Sequence, residues 1–223
     1  MQHKQALDVQ AVLFDHDGTL INSEAVHFAL WQETLRPHNV ELTDAYYNQT
    51  MAGVPTTQNG IDVVNDFGLT IDPAELASTK ASLTEAHLRK QPFPLMPGAE
   101  ETFALCRKLG LRTAIVTGGS RFSVERTLES YGFADIVECV VAVDDVVNSK
   151  PAPDCYLMAL EQMQLTASQV VAVEDTEHGL ASAVAAGIRC VTIPTQQSAG
   201  HDFSAASAVY TSLSEWTANE LNR

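Results

Sequence analysis

The sequence predicts an α/β fold: a doubly wound parallel sheet with a helical domain inserted after its first strand. Three observations predict it. Five short apolar runs are continuous rather than alternating, as in strands buried on both faces. Helical stretches separate the later runs, and several stop at a glycine, the common residue just past a helix end. One long segment, from Ser23 to Pro92, breaks this rhythm and holds no such run.

Taken in order, the first run is Ala11-Val12-Leu13-Phe14, which ends at Asp15 and a Gly turn. Helical patterns follow at 24–35 and 74–90, so the first strand feeds a helical insertion. Pro92, Pro94 and Pro97 read as stiff punctuation at its far end, and the sheet resumes near Pro97-Gly98. A helix over 99–109 closes at Gly110 and leads to a strand at 113–116. A helix over 121–131 ends at Gly132, and a third strand is expected at 140–143. Pro153 opens a helix over 154–163, followed by a strand at 170–173. A helix over 179–186 stops at Gly187, and a fifth strand at 190–193 stops at Pro194. Such alternation implies βαβ units and a Rossmann-like core. The N-terminal strand cannot form a domain alone. The expected division is a discontinuous core, 1–20 and 95–223, carrying a helical cap domain at 21–94. No internal repeat or low-complexity tract interrupts it.

Composition bounds the function. The 223 residues are 45 % hydrophobic and 18 % charged, which is ordinary for a globular protein. The formal net charge of −15 disfavours nucleic acid and anionic lipid as partners. It also repels a phosphorylated substrate unless local cations reverse the sign. Cys106, Cys139, Cys155 and Cys190 form no C-x-x-C pair, and are expected as buried thiols in a reducing compartment. No apolar stretch follows Met1-Gln2-His3-Lys4-Gln5, so no signal peptide is expected, nor is any run long enough to span a membrane. A cytoplasmic protein, a monomer or weak homodimer, is the expectation.

Ligands of open α/β sheets bind outside the carboxyl ends of the strands. Here the first, second and fourth ends carry Asp15-His16-Asp17-Gly18-Thr19, Thr117-Gly118-Gly119-Ser120 and Glu174-Asp175-Thr176, and past the third, Asp144-Asp145 leads on to Ser149-Lys150-Pro151. Asp15, Asp17, Glu174 and Asp175 would crowd one edge. Like charges in contact are costly unless one is protonated or a cation sits among them. Mg²⁺, a hard ion that takes oxygen ligands and phosphate, resolves the conflict. Any one of these acids could instead be a helix N-cap; four on neighbouring strands fit a site better. Asp15, nearest the strand, suits an in-line nucleophile, and Asp17, two residues on, a general acid and base. Gly18 permits a tight turn. Thr117 and the Gly118-Gly119 amides offer an anion seat, or a plain βα turn. Lys150 can neutralise phosphoryl oxygens and hold the nucleophile ionised.

Asp15-His16-Asp17-Gly18-Thr19-Leu20, then Thr117, then Lys150-Pro151-Ala152-Pro153-Asp154, then Glu174-Asp175 resemble the four ordered motifs of the haloacid dehalogenase-like hydrolases. The resemblance spans the chain. It implies an aspartyl-phosphate at Asp15 and acid–base work by Asp17. It implies Mg²⁺ held by Asp15, the Asp17 carbonyl and Asp175, with Glu174 as a possible further ligand. Thr117 and Lys150 would bind the transferring phosphoryl group, and the insertion matches the family's helical cap.

Within that family Asn22-Ser23-Glu24, His27, Trp31 and Ala52-Gly53-Val54 resemble the β-phosphoglucomutase-like branch, which implies that His27 lies near the acid–base Asp; alternatively it is an ordinary helix histidine beside a packed Trp. The mutases carry two cations around the cap Gly-Val, and Met51-Ala52-Gly53-Val54-Pro55-Thr56-Thr57 has neither. A phosphatase acting on small phosphomonoesters, sugar phosphates foremost, is therefore expected over a phosphosugar mutase. A haloacid dehalogenase would lack Asp17, and a non-catalytic module would have lost an acid; neither fits.

Overall fold

The computed structural model describes residues 9–221. Met1-Gln2-His3-Lys4-Gln5 and the first residues of the expected core lie outside the described residues. The chain forms two compact units, Met1–Ile21 with Leu95–Arg223, and Asn22–Pro94.

The larger unit begins with strand β1, Ala11–Phe14. The smaller unit then holds helices α1 (Glu24–Leu35), α2 (Asp44–Tyr46), α3 (Thr56–Phe67) and α4 (Pro73–Leu88). The larger unit resumes with α5 (Ala99–Lys108), β2 (Arg112–Val116), α6 (Arg121–Tyr131) and β3 (Val137–Val141). It continues with α7 (Asp154–Met163), β4 (Val170–Glu174), α8 (Glu177–Ala185), β5 (Arg189–Thr192), β6 (Ala208–Val209) and α9 (Leu213–Glu220). The strands form one parallel sheet in the order β3-β2-β1-β4-β5-β6.

Why the runs are continuous is visible in the packing. Ala11 and Leu13 face a core shared with Tyr156, Ala159, Leu180 and Ala183 of α7 and α8. Val12 and Phe14 face the opposite core, with Phe103, Val124, Leu213 and Trp216 of α5, α6 and α9. Successive side chains of a strand point to opposite faces, so burial of both faces demands apolar residues at every position. The polarity change then comes at the carboxyl ends, where water and ligands can reach.

The doubly wound sheet is as expected, with differences at its edges. The third strand starts three residues before the expected 140–143 and ends two residues sooner. Glu138 is exposed at the sheet edge and ion-pairs with Arg112, so it interrupts the apolar run without ending the strand. Ala142 and Val143 leave the sheet instead: the Ala142 amide donates to Asp145 Oδ2 and the Val143 amide to the Gly119 carbonyl. Helix α8 starts before Gly179, because the Thr176 hydroxyl caps it by accepting from the Gly179 amide. Likewise Asp72 caps α4 and sets its start at Pro73. Strand β6 and helix α9 were not expected. Two residues are too few to show a period, and α9 is polar apart from the face that buries Leu213 and Trp216.

The smaller unit has its own core, including Trp31, Leu35, Tyr47, Met51, Val63 and Leu76. Tyr47 Oη donates to Glu24 Oε2 at 2.7 Å, tying the 47–51 turn to α1. All four cysteines are free and buried. Among the described residues no helix is long and apolar enough to cross a membrane.

Candidate active site

Asp15 directly follows β1, and its amide still donates to the Val173 carbonyl of β4 at 2.9 Å. The nucleophile candidate is therefore fixed by the sheet itself. The chain turns at once: the Gly18 amide donates to the Ile21 carbonyl, and Gly18 has φ +81°. A side chain there is excluded twice, by that backbone conformation and because a Cβ would overlap the Asp175 carboxylate. Gly18 thus makes room for an acid from β4.

Asp15, Glu174 and Asp175 each offer an oxygen, and these oxygens lie within 4.8 Å of one another. All three residues are buried. Lys150 Nζ stands among them. It donates to Asp15 Oδ1 at 2.6 Å, to Glu174 Oε1 at 2.7 Å and to the Val116 carbonyl at 2.7 Å. Those three bonds use every proton of the ammonium. Tyr156 Oη donates to the same Glu174 Oε1 at 2.6 Å.

The electrostatics follow from counting charges among buried groups. Burial pushes Asp15 above its ordinary value, against the pull of Lys150. Burial likewise lifts Glu174 to about 7, again against Lys150, with Asp15 adding to the rise. Asp175 is raised well above the carboxylate range by burial, then by Asp15 and Glu174. Burial alone would lower Lys150, yet the attraction of Asp15 and Glu174 outweighs it and the ammonium is held above its usual value. One ammonium cannot balance three carboxylates at this spacing. A hard divalent cation would, and the donor set is all oxygen, so the residues present fit such an ion.

Asp17 lies apart from that cluster. Its carboxylate reaches toward the loop after β2, where a Cβ on Gly119 would stand 2.8 Å from Asp17 Oδ2 and 3.2 Å from Thr117 Oγ1. Of the two glycines after Thr117, Gly119 is the one that clears space, and the group it clears space for is the acid–base candidate. A Cβ on Gly118 would make only an ordinary contact, 3.4 Å from Ser149 Oγ. Thr117 is buried and its Oγ1 accepts from the Gly119 amide at 2.9 Å, so that amide is turned into its own loop. The anion seat is narrower than the sequence suggests.

His27 lies in the smaller unit, on α1. Its Nδ1 is 3.1 Å from Lys80 Nζ of α4, and its ring meets Phe93 edge-on at 5.0 Å between centroids. Lys80 is only 5 % exposed, with its ammonium 5.9 Å from the Trp31 ring centroid. The sequence reading missed Lys80. It sits mid-helix between Thr79 and Ala81, and nothing in the local sequence marks its burial against α1.

Two more residues escaped the sequence reading. His16 is fully buried; its Nε2 is 3.0 Å from Thr127 Oγ1 and its Nδ1 is 3.6 Å from Asp17 Oδ2. Thr127 Oγ1 donates to the Ser123 carbonyl, so it accepts from His16 Nε2. Polarity in the middle of a buried turn was the available clue. Tyr156 lies within the expected helix over 154–163, six residues after Lys150, and its residue type alone does not distinguish a core aromatic from a hydrogen-bonding one.

Comparison with known proteins decides the family. A model of the haloacid dehalogenase-like hydrolases matches residues 9–187. The chain belongs to the haloacid dehalogenase-like hydrolases. It is accordingly an enzyme, of the phosphatase kind within that family. It is 33 % identical over 211 residues to Protein CbbY of Rhodobacter capsulatus, covering 90 % of this chain and 92 % of that one. Fructose-1-phosphate phosphatase YqaB of Escherichia coli is 29 % identical over 185 residues, 82 % of this chain and 95 % of that one. The crystal structure of CbbY from Rhodobacter sphaeroides in complex with phosphate superposes with a TM-score of 0.80 at 25 % identity, covering 93 % of this chain and 96 % of that one.

Proposed function

We propose that the chain is a Mg²⁺-dependent phosphatase that hydrolyses small phosphomonoesters, sugar phosphates foremost, through an aspartyl-phosphate on Asp15. The observation that carries this is the placement of Asp15: rigid at a strand end, aimed by Lys150, and grouped with Asp175 and Glu174.

In this reading Asp15 Oδ attacks phosphorus in line, and the ester oxygen leaves with a proton from Asp17. Asp17 then takes a proton from water as that water attacks the phospho-Asp15, and phosphate departs. Thr117 and Gly118 bind the phosphoryl oxygens. Lys150 screens their charge. Mg²⁺, held by Asp15, the Asp17 carbonyl and Asp175, would supply charge neutralisation at the transferring group. The smaller unit is proposed to act as the cap that sets specificity, with His27 as a substrate-facing residue. The substrate class is supported by a fructose-1-phosphate phosphatase among the relatives and by a structural neighbour crystallised with phosphate. Free thiols fit a cytoplasmic location, and a monomer or weak homodimer suffices for the chemistry.

The mutase alternative is weighed differently once Lys80 is known. The 51–57 segment has no cation, but the smaller unit does bury one at Lys80. The preference for water over a sugar hydroxyl as acceptor therefore rests on the named phosphatase relative rather than on missing charge. A phosphate-release screen over sugar phosphates and small organic phosphates, with Mg²⁺ and then with EDTA, tests the proposal. Release with Mg²⁺ and none in EDTA is the expected result; full activity in chelator contradicts it. Conversion of β-glucose 1-phosphate to glucose 6-phosphate without free phosphate would instead establish the mutase.

A further inference from the structure

Tyr156 is fully buried on α7 and touches the site twice. Its hydroxyl donates to Glu174 Oε1 at 2.6 Å, and its ring centroid lies 5.4 Å from Lys150 Nζ. Glu174 Oε1 therefore receives two donors, Tyr156 and Lys150. A face of the same carboxylate rests against Gly179 of α8, where an added Cβ would overlap its carbon and both oxygens. Glu174 is thus clamped from both sides, with its bonded oxygen turned to Lys150.

The clamp bears on Lys150. Two of its three donated bonds go to fixed acceptors, the Val116 carbonyl of β2 and Glu174 Oε1. The third goes to Asp15 Oδ1, the atom group proposed to become phosphorylated. With no proton left over, Lys150 can serve a phosphoryl oxygen only by exchanging one of these bonds. The exchangeable one is whichever acceptor is held least firmly or changes its charge, and only Asp15 changes charge on phosphorylation.

We infer that Tyr156 is a positioning residue: it holds Glu174 on the Lys150 side of the acid cluster, so that Glu174 orients Lys150 and the metal is left to Asp15, the Asp17 carbonyl and Asp175. This rests on the phosphatase reading and deepens it. Networks in which one acceptor is shared by two donors act as a unit, so deleting either member should produce the same defect.

The test is a double-mutant cycle of Tyr156→Phe and Glu174→Gln, assayed with p-nitrophenyl phosphate and Mg²⁺. Losing the hydroxyl should lower kcat roughly tenfold, the scale of one hydrogen bond to a charged group, with KM within about twofold. Glu174→Gln should lower kcat similarly, and the double variant no further than the worse single. Calorimetric titration of the metal-free protein with Mg²⁺ should give a Kd within about twofold of the parent for Tyr156→Phe, because Tyr156 acts on Lys150 and not on the ion. Additive losses, a defect carried by KM, or weakened Mg²⁺ binding would each overturn the inference. Gly179→Ala attacks the clamp from the other side with the hydroxyl intact and should reproduce the kcat defect; unchanged kcat in that variant also overturns it. If Tyr156→Phe fails to fold, Gly179→Ala and Glu174→Gln carry the test. Failure of the underlying reading looks different: activity in Asp15→Asn, or no phosphate release by the parent enzyme.

Discussion

Among the described residues two lysines are shielded from water, one in each unit, and their surroundings differ. Lys150 lies among Asp15, Glu174 and the Val116 carbonyl, with Tyr156 beside it. Lys80 lies against His27 and above Trp31. An ammonium among carboxylates is locked in its charged form and rigidly placed, which suits a group that must screen charge during bond making. An ammonium on an imidazole nitrogen and an indole face is held by softer interactions. The first arrangement suits chemistry at fixed atoms; the second suits adaptation to what a substrate brings.

The sharpest way to break the comparison is to remove the chemical partner of Lys150. Asp15→Asn keeps the shape of the side chain, but an amide is a far poorer nucleophile than a carboxylate. Turnover should fall below detection in a phosphate-release assay, and retained activity would remove Asp15 from the mechanism. Asp17→Asn is the next largest. It leaves the Lys150 cluster alone and should cost roughly 10²–10⁴-fold in kcat, the usual scale of general acid–base catalysis. A loss confined to KM would move Asp17 from proton transfer to binding.

The two lysines also differ in how they could be read from sequence, and the reason is physical. Asp15, Asp17, Glu174 and Asp175 stand where a run buried on both faces abruptly meets charged residues, so strand ends point to them, and Lys150 follows in the loop beyond β3, beside Pro151. Lys80 sits on a helix with polar residues around it, and burial of one face of α4 is decided by packing on α1 and α3 that no local pattern displays. Helix α3 was missed for a related reason. Gly60 lowers its helical signal, yet a Cβ there would stand 2.7 Å from the Pro73 carbonyl, so close packing on α4 selects the glycine. The elements read to the residue are β1, α1, α6 and α7; β1, α6 and α7 each have an end marked by Asp, Gly or Pro, whereas α1 follows Ser23. Strand β3 slipped because an edge strand tolerates Glu138 facing solvent. Tyr156 remained hidden because a core aromatic and a hydrogen-bonding one look alike until the acceptor is placed.

A third effect concerns stability without metal. Burial raises Asp15, Glu174 and Asp175, with Glu174 at about 7. A carboxyl whose folded value exceeds its unfolded value binds its proton more tightly in the native state. Its stabilising contribution is full below the ordinary carboxylate range and is lost as pH rises through about 7 for Glu174. In EDTA the melting temperature should therefore fall between pH 5.5 and pH 8, by an amount on the order of 1–3 kcal/mol in stability. Mg²⁺ should shrink the difference, because a cation among the carboxylates favours their ionised forms. Glu174→Gln should shrink it as well. A melting temperature independent of pH in chelator would mean that the cluster is already balanced.

The smallest effect expected comes from the softer of the two lysines. Lys80→Met keeps an unbranched apolar stem in the core of the smaller unit, over Trp31, and removes the charge together with its bond to His27. Fold and melting temperature should change little. If the smaller unit grips substrate as proposed, KM for a sugar phosphate should rise roughly three- to tenfold, the worth of about one hydrogen bond, while kcat stays within about twofold. The same change in Lys150 cannot behave this way, because it strands Asp15 and Glu174 without their counter-ion. Such stranding typically costs about 3–5 kcal/mol and would appear in both kcat and metal-free stability. Lys80→Met falling in kcat as steeply as Lys150→Met would place both lysines in the chemical step. An unchanged KM would leave Lys80 a packing residue of the helical core.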